Sequence, residues 1–173
     1  MAETFAVIQL EDGRRMKFKL REDVAPISVD NFVKLAEKRY YDGLCFHRVI
    51  DGFMIQGGGF TAGASSLRPA PELKPIKGEF ESNGVHNTLK HKKGVISMAR
   101  TPLKDSATSQ FFICVADTPF LDGEYAAFGE SVDNDSINTA VAIGKVPTHT
   151  LPYGYGDVPV TPVVIKTITI EKK

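Results

Sequence analysis

The chain has 173 residues, 42% of them hydrophobic, which is enough to bury one ordinary core and too many for a disordered chain. Lys plus Arg and Asp plus Glu each number 21, so the formal net charge is zero, which argues against nucleic acid or another polyanion held by counterion release. No segment approaches the ~20 apolar residues of a membrane span, and the N-terminal MAETFAVIQLEDG lacks a leader pattern. The expectation is one domain over residues 1–173, soluble, monomeric and cytoplasmic. Cys45 and Cys114 each sit in an apolar run and read as buried free thiols of a reducing compartment.

Thr4–Leu10 and Arg14–Leu20 are β-like runs joined through Glu11-Asp12-Gly13, a hairpin signal. Met16, Phe18 and Leu20 alternate with Lys17 and Lys19, so one face of that strand is wet. Pro26 opens a helical pattern in which Val29, Phe32, Val33 and Ala36 share a face, and Asp42-Gly43 ends the segment. Apolar β runs follow at Cys45–Ile50, Phe53–Gln56, Gly94–Ala99 and Phe111–Val115, with Gly57-Gly58-Gly59 as a tight turn. A second helix is expected from about Ser136 to Ile143, with Ile137, Ala140, Val141 and Gly144 on one face and Asp135 or Ser136 as cap. Pro147–Pro162 reads as an ordered loop and Val163–Ile170 as a closing strand. Many strands and two helices suggest a closed β architecture with the helices over its ends.

Most catalytic signatures are missing. There is no GxSxG, no Walker A loop, no CxxC and no HExxH, and His47, His86, His91 and His149 lack zinc-site spacing. The expectation is no metal and no cofactor. Lys90-His91-Lys92-Lys93 reads as a solvated basic loop, and His47 as a hydrogen-bonded structural residue. Any catalysis must then work through shape and electrostatics.

One stretch stands out. FHRVIDGFMIQGGGF, Phe46 to Phe60, reads as buried strand yet contains Arg48 and Gln56, with Asp51 as its single acid. Together with Ser97-Met98-Ala99, Ser109-Gln110-Phe111-Phe112-Ile113, and Phe120-Leu121-Asp122-Gly123 followed by Phe128-Gly129, it closely resembles the cyclophilin family of peptidyl-prolyl cis/trans isomerases. The overall flavour is that of the bacterial single-domain members. The resemblance implies a closed, eight-stranded antiparallel barrel capped by two helices, with an active groove on the outside of its wall. By motif position Arg48 is the catalytic arginine, positioned by Gln56. Phe53, Met54, Phe112 and Leu121 form the proline pocket. Ala99, Arg100 and Gln110, with Gln56, hold the peptide, and Phe120 and Tyr125 form the rim.

The resemblance further implies proline-containing peptides and folding proteins as partners, with protein folding as the setting. The competing reading is a proline-peptide binding module or holdase chaperone with incidental turnover. Phe120 stands where the best-known eukaryotic members carry a tryptophan that contacts cyclosporin, so weak cyclosporin binding is expected. Arg100 and Tyr125 replace a common asparagine and histidine. An Arg100 side chain lying along the groove would favour peptides with Asp or Glu beside the proline.

Overall fold

The computed structural model describes residues 3–62, 67–152 and 154–173. β1 (Thr4–Leu10) and β2 (Arg15–Leu20) form the expected hairpin, with Ile8 opposite Met16 and Ala6 opposite Phe18. Met16, Phe18 and Leu20 are buried while Lys17 and Lys19 are half-buried, so the alternation in the sequence maps onto two faces. α1 spans Pro26–Glu37 with its proline in the first turn, and buries Ser28, Val29, Phe32, Leu35 and Ala36. It stops well before Asp42-Gly43, because Arg39 turns to φ +59°.

The remaining strands are β3 (Arg48–Ile50), β4 (Met54–Gly57), β5 (Phe60–Ala62), β6 (Leu67–Pro69), β7 (Val95–Met98), β8 (Phe111–Cys114) and β9 (Ala127–Ser131). After α2 (Asn134–Gly144) come β10 (Thr148–His149), β11 (Val158–Pro159) and β12 (Ile165–Lys172). β5 pairs with β6 and β10 with β11 in two small hairpins, the second inside the stretch read as a loop. Eight strands form the main antiparallel sheet in the order β12-β1-β2-β9-β7-β8-β4-β3. Its inner face, with α1 and α2, encloses one large core that includes Phe18, Phe32, Phe46, Phe80, Phe111 and Phe128. Among the described residues, no helix is long and apolar enough to cross a membrane.

The sheet curls but does not close, which corrects the expected closed barrel. Its end strands β3 and β12 share no ladder. They approach through the residues before β3 and the start of β12: Gly43 N–H donates to Ile165 O, Ile165 N–H to Leu44 O and Phe46 N–H to Val163 O, around one isolated bridge between Cys45 and Val164. Further on, Val49 N–H donates to Asp157 O at 2.9 Å. The outer edge of β3 is therefore taken by the loop before β11 and is not free for β12.

Two local features escaped the sequence pattern. β9 lies between β2 and β7, with Gly129 opposite both Leu20 and Ile96. A Cβ at Gly129 would fall 2.8 Å from Ile96 Cγ2 and 3.0 Å from Lys19 O, so only glycine lets these strands approach. The cap of α2 is Asp133, not Asp135 or Ser136. Its carboxylate accepts from Ser136 N–H at 2.8 Å, while Ser136 Oγ accepts from Lys17 N–H and docks the helix on β2.

α1 has no cap from its own neighbours. Glu79, 2% exposed, supplies one from 51 residues away in sequence, accepting from Ser28 N–H (2.6 Å), Ser28 Oγ–H (2.7 Å) and Ile27 N–H (3.1 Å). Glu79→Ala leaves the two buried Ser28 donors without a partner and should lower the unfolding free energy by about 2 kcal/mol. Denaturant unfolding of the two proteins measures this, and equal midpoints would remove the cap from the account.

Candidate active site

Strands β4, β7 and β8 are covered on both faces. Ile55, Ile96, Phe111 and Ile113 point into the main core. Met54, Phe112 and Cys114 point outward, where Leu121 joins them in a second apolar cluster flanked by Ile50, Phe53, Ala99 and Tyr125. Phe111 and Phe112 thus lie on opposite sides of one strand, as the period of two requires.

A cavity of about 160 Å³ opens on this outer cluster. The β3–β4 hairpin brings Arg48, Phe53, Met54 and Gln56 to it, the end of β7 brings Ala99 and Arg100, and β8 brings Phe112. Leu121 and Tyr125 complete its wall, from the turn at Pro119–Leu121 and the residues after it. A second cavity of about 190 Å³ shares Gln56, Ala99 and Arg100 with the first and adds Thr101, Ser106, Thr108 and Gln110. Phe120 stands outside both, 68% exposed, with its ring 5.7 Å from that of Phe53. All the site residues read from the sequence therefore lie in one neighbourhood.

Arg48 and Gln56 face each other across the hairpin, and Arg48 Nη1 donates to Gln56 Oε1 over a long 3.4 Å. Gln56 is itself anchored, since its Nε2 donates to Gln110 Oε1 at 2.9 Å. Gln110 needs a gap to reach it. A Cβ at Gly59 would lie 2.4 Å from Gln110 Cγ, so the third glycine of the turn makes room for that side chain. Among the described residues Arg48 makes no ion pair, so its charge is not neutralised by a carboxylate.

Arg100 is arranged otherwise. Its Nε and Nη2 donate to Glu124 O at 3.1 and 2.7 Å, and its Nη1 to Thr101 O and Pro102 O at 3.0 and 3.4 Å. The side chain lines both cavities but spends its donors on backbone carbonyls, not on the groove.

One supporting residue was missed. His91 is 1% exposed, although Lys90, Lys92 and Lys93 around it are solvated as expected. Its ring nitrogens lie 3.0 Å from Asp122 Oδ1 and 2.9 Å from Ser97 Oγ, and the ring stacks on Phe112 at 5.9 Å and 15°. It backs the pocket wall and ties the Leu121 turn to β7. The basic flanks concealed it, and the one available signal was its place four residues before the buried run of β7. His47 differs from the expected hydrogen-bonded residue: it is buried against Phe60, and among the described residues neither ring nitrogen has a hydrogen-bond partner.

Residues 5–170 match the family described as cyclophilin type peptidyl-prolyl cis-trans isomerase/CLD. The chain is 44% identical over 172 residues to peptidyl-prolyl cis-trans isomerase A of Dickeya dadantii, covering 96% of this chain and 85% of that protein. It is 39% identical over 166 residues to peptidyl-prolyl cis-trans isomerase B of Escherichia coli, covering 89% and 92%. Its fold is similar to a cyclophilin-type isomerase of Cryptosporidium parvum, with TM-score 0.77, 27% identity and 99% of each chain covered. A second structure of that protein, in the presence of the dipeptide Ala-Pro, matches with TM-score 0.76 at 27% identity over 98% of this chain and 99% of that one. The chain belongs to the cyclophilin-type peptidyl-prolyl cis-trans isomerases.

Burial, with the Arg48 charge beside it, pushes the His47 imidazole down to about 4. Burial lowers His91 too, against the opposing pull of Asp122. Between the ordinary histidine value and these lowered ones, the unfolded chain takes up protons that the folded chain refuses. Stability is therefore complete above about pH 6.5 and falls as pH drops toward 4, His47 alone costing up to about 3 kcal/mol. Melting temperatures from pH 7 to 4 should show this slope, and His47→Gln should make it shallower; an unchanged slope in the variant would contradict the assignment.

Proposed function

We propose that the chain isomerises X–Pro bonds in polypeptides by holding the proline ring in the cavity of Phe53, Met54, Phe112 and Leu121 while Arg48 donates to the prolyl nitrogen. Rotation is slow because it breaks amide resonance, with a barrier of about 18–20 kcal/mol. In the twisted state the nitrogen becomes pyramidal and regains a lone pair. It can then accept a hydrogen bond that the planar amide could not. A guanidinium is a fitting donor, since it stays charged at any working pH. Its effect grows beside apolar walls that exclude water. Gln56, braced by Gln110, sets its direction.

The observation that carries this reading is the unneutralised Arg48 at the edge of a cavity whose wall includes Phe53, Met54, Phe112 and Leu121. A binding module would gain nothing from a donor useful mainly in the twisted state. A relative studied with Ala-Pro supports proline peptides as the substrate class. A reducing, cytoplasmic setting and folding proteins as clients complete the proposal. Cys45 and Cys114 are buried and unpaired, and burial raises both thiols to about 11, which fits such a compartment.

Arg48→Ala should lower kcat/KM for a short proline peptide by about 10²–10³, the scale of one lost transition-state donor, with much less effect on ground-state binding. A coupled isomerisation assay measures it, and near-wild-type turnover in the folded variant would falsify the mechanism.

Cyclosporin binding separates the rim from the chemistry. Phe120 offers an exposed ring but no N–H, and a missing neutral hydrogen bond is worth about 0.5–1.5 kcal/mol before lost contact area is added. Phe120→Trp should therefore tighten cyclosporin by about tenfold or more and change peptide turnover little. Calorimetry and the isomerase assay on both proteins decide; unchanged drug affinity would move control of the rim to Arg100, Tyr125 or the Thr101–Thr108 loop.

A further inference from the structure

A series of planar groups runs across the rim, each against the next. Phe80, 1% exposed and part of the main core, lies 4.8 Å from the Arg100 guanidinium carbon. The same carbon is 4.7 Å from the centre of the Tyr125 ring. Tyr125 meets Phe112 edge-on, at 5.7 Å and 89°, and Phe112 stacks on buried His91. The series starts in the core, passes through the guanidinium to the cavity wall, and returns to a buried histidine.

The donors of Arg100 add a second constraint. A guanidinium has five N–H groups in a rigid fork, and here they tie two segments together: the Thr101–Pro102 carbonyls on one side and the Glu124 carbonyl on the other. Ser82 Oγ donates to the Glu124 carboxylate and Lys104 Nζ donates to Ser82 O, so a third segment joins the same brace. The Arg100 side chain is 11% exposed and 4.0 Å from the Glu124 carboxylate. Little of its charge remains for a passing peptide.

We propose that Arg100 is a positioning residue that sets the width of the proline cavity, acting through Tyr125 and Phe112, and does not recognise charge on the substrate. The proposal rests on the reading of that cavity as the proline site. It replaces the expectation of a preference for acidic neighbours. Chemistry explains why arginine stands here. Lysine carries the charge but neither the flat face that two rings can stack on nor a fork that reaches carbonyls from separate segments at once.

The test uses Arg100→Lys, which keeps the charge, and Arg100→Met, which keeps the length. Both should raise KM for a short proline peptide by about tenfold while kcat stays within about threefold, because a loosened pocket loses preorganised binding. Their ratio of kcat/KM for matched Glu-Pro and Lys-Pro peptides at low salt should equal that of the unmutated protein. A double-mutant cycle with Tyr125→Leu should be strongly non-additive, since the second change removes what the first one positions.

Restoration of the original KM by Arg100→Lys would show that charge alone suffices and would overturn the proposal. So would a selective loss of Glu-Pro turnover in Arg100→Met, or additive effects in the cycle. If Arg100→Met does not fold, Arg100→Lys and the cycle built on it still decide. Failure of the site reading looks different: Arg48→Ala would then retain its activity whatever the Arg100 variants do.

Discussion

The pocket depends on burying both faces of the same strands. β4 and β8 cannot leave their outer side to water, because Met54, Phe112 and Cys114 project there as surely as Ile55, Phe111 and Ile113 project inward. Apolar outer residues demand a cover, and the cover comes from the ends of neighbouring segments: Ala99 after β7, Leu121 in its turn, Tyr125 beyond it, Phe53 in the hairpin. A cover made of separate pieces leaves a gap. That gap is the cavity, and the guanidinium of Arg48 borders it.

Polar groups around the gap divide into two kinds by how fully they are satisfied. Arg100 and His91 are saturated: carbonyls hold the first, and Asp122 and Ser97 the second. Among the described residues, the Arg48 guanidinium has one long hydrogen bond, to Gln56. Saturated groups stiffen a wall, whereas an unsaturated donor in a half-dry site is costly to the folded chain and available to a ligand. The two arginines of one cavity thus differ in their partners, not in their residue type.

Periodicity carried the β1–β2 hairpin, the buried stripe of α1 and the two-faced β8, since each places large apolar residues at fixed spacing. Motif resemblance carried the pocket residues. What stayed hidden depends on contacts that leave no pattern in the chain. β9 reads Ala127 to Ser131 with no β-branched residue, and Gly129 is glycine because two strands press on it, so the segment lacks the β-branched signal of a strand. His91 sits among lysines, and its burial is decided by Asp122, 31 residues away. The direction of Arg100 is fixed by main-chain carbonyls, which every residue has. Whether the sheet closes turns on which backbone reaches the edge of β3 first, and the Asp157 carbonyl does.

That edge, held by a loop and not by a strand, bears on the rhythm of the molecule as well as its shape. β3 has three residues and a ladder on one side only, against β4, while a loop carbonyl tends the other. Strands deep in the sheet exchange their amide protons only when the whole domain opens, whereas a short border strand can lift by local fluctuation. Arg48 therefore opens a three-residue border strand, while the aromatic wall across the cavity is tied to the core through Phe80 and His91. In the proposed mechanism the turning peptide has a short edge strand on one side of it and a wall joined to the main core on the other.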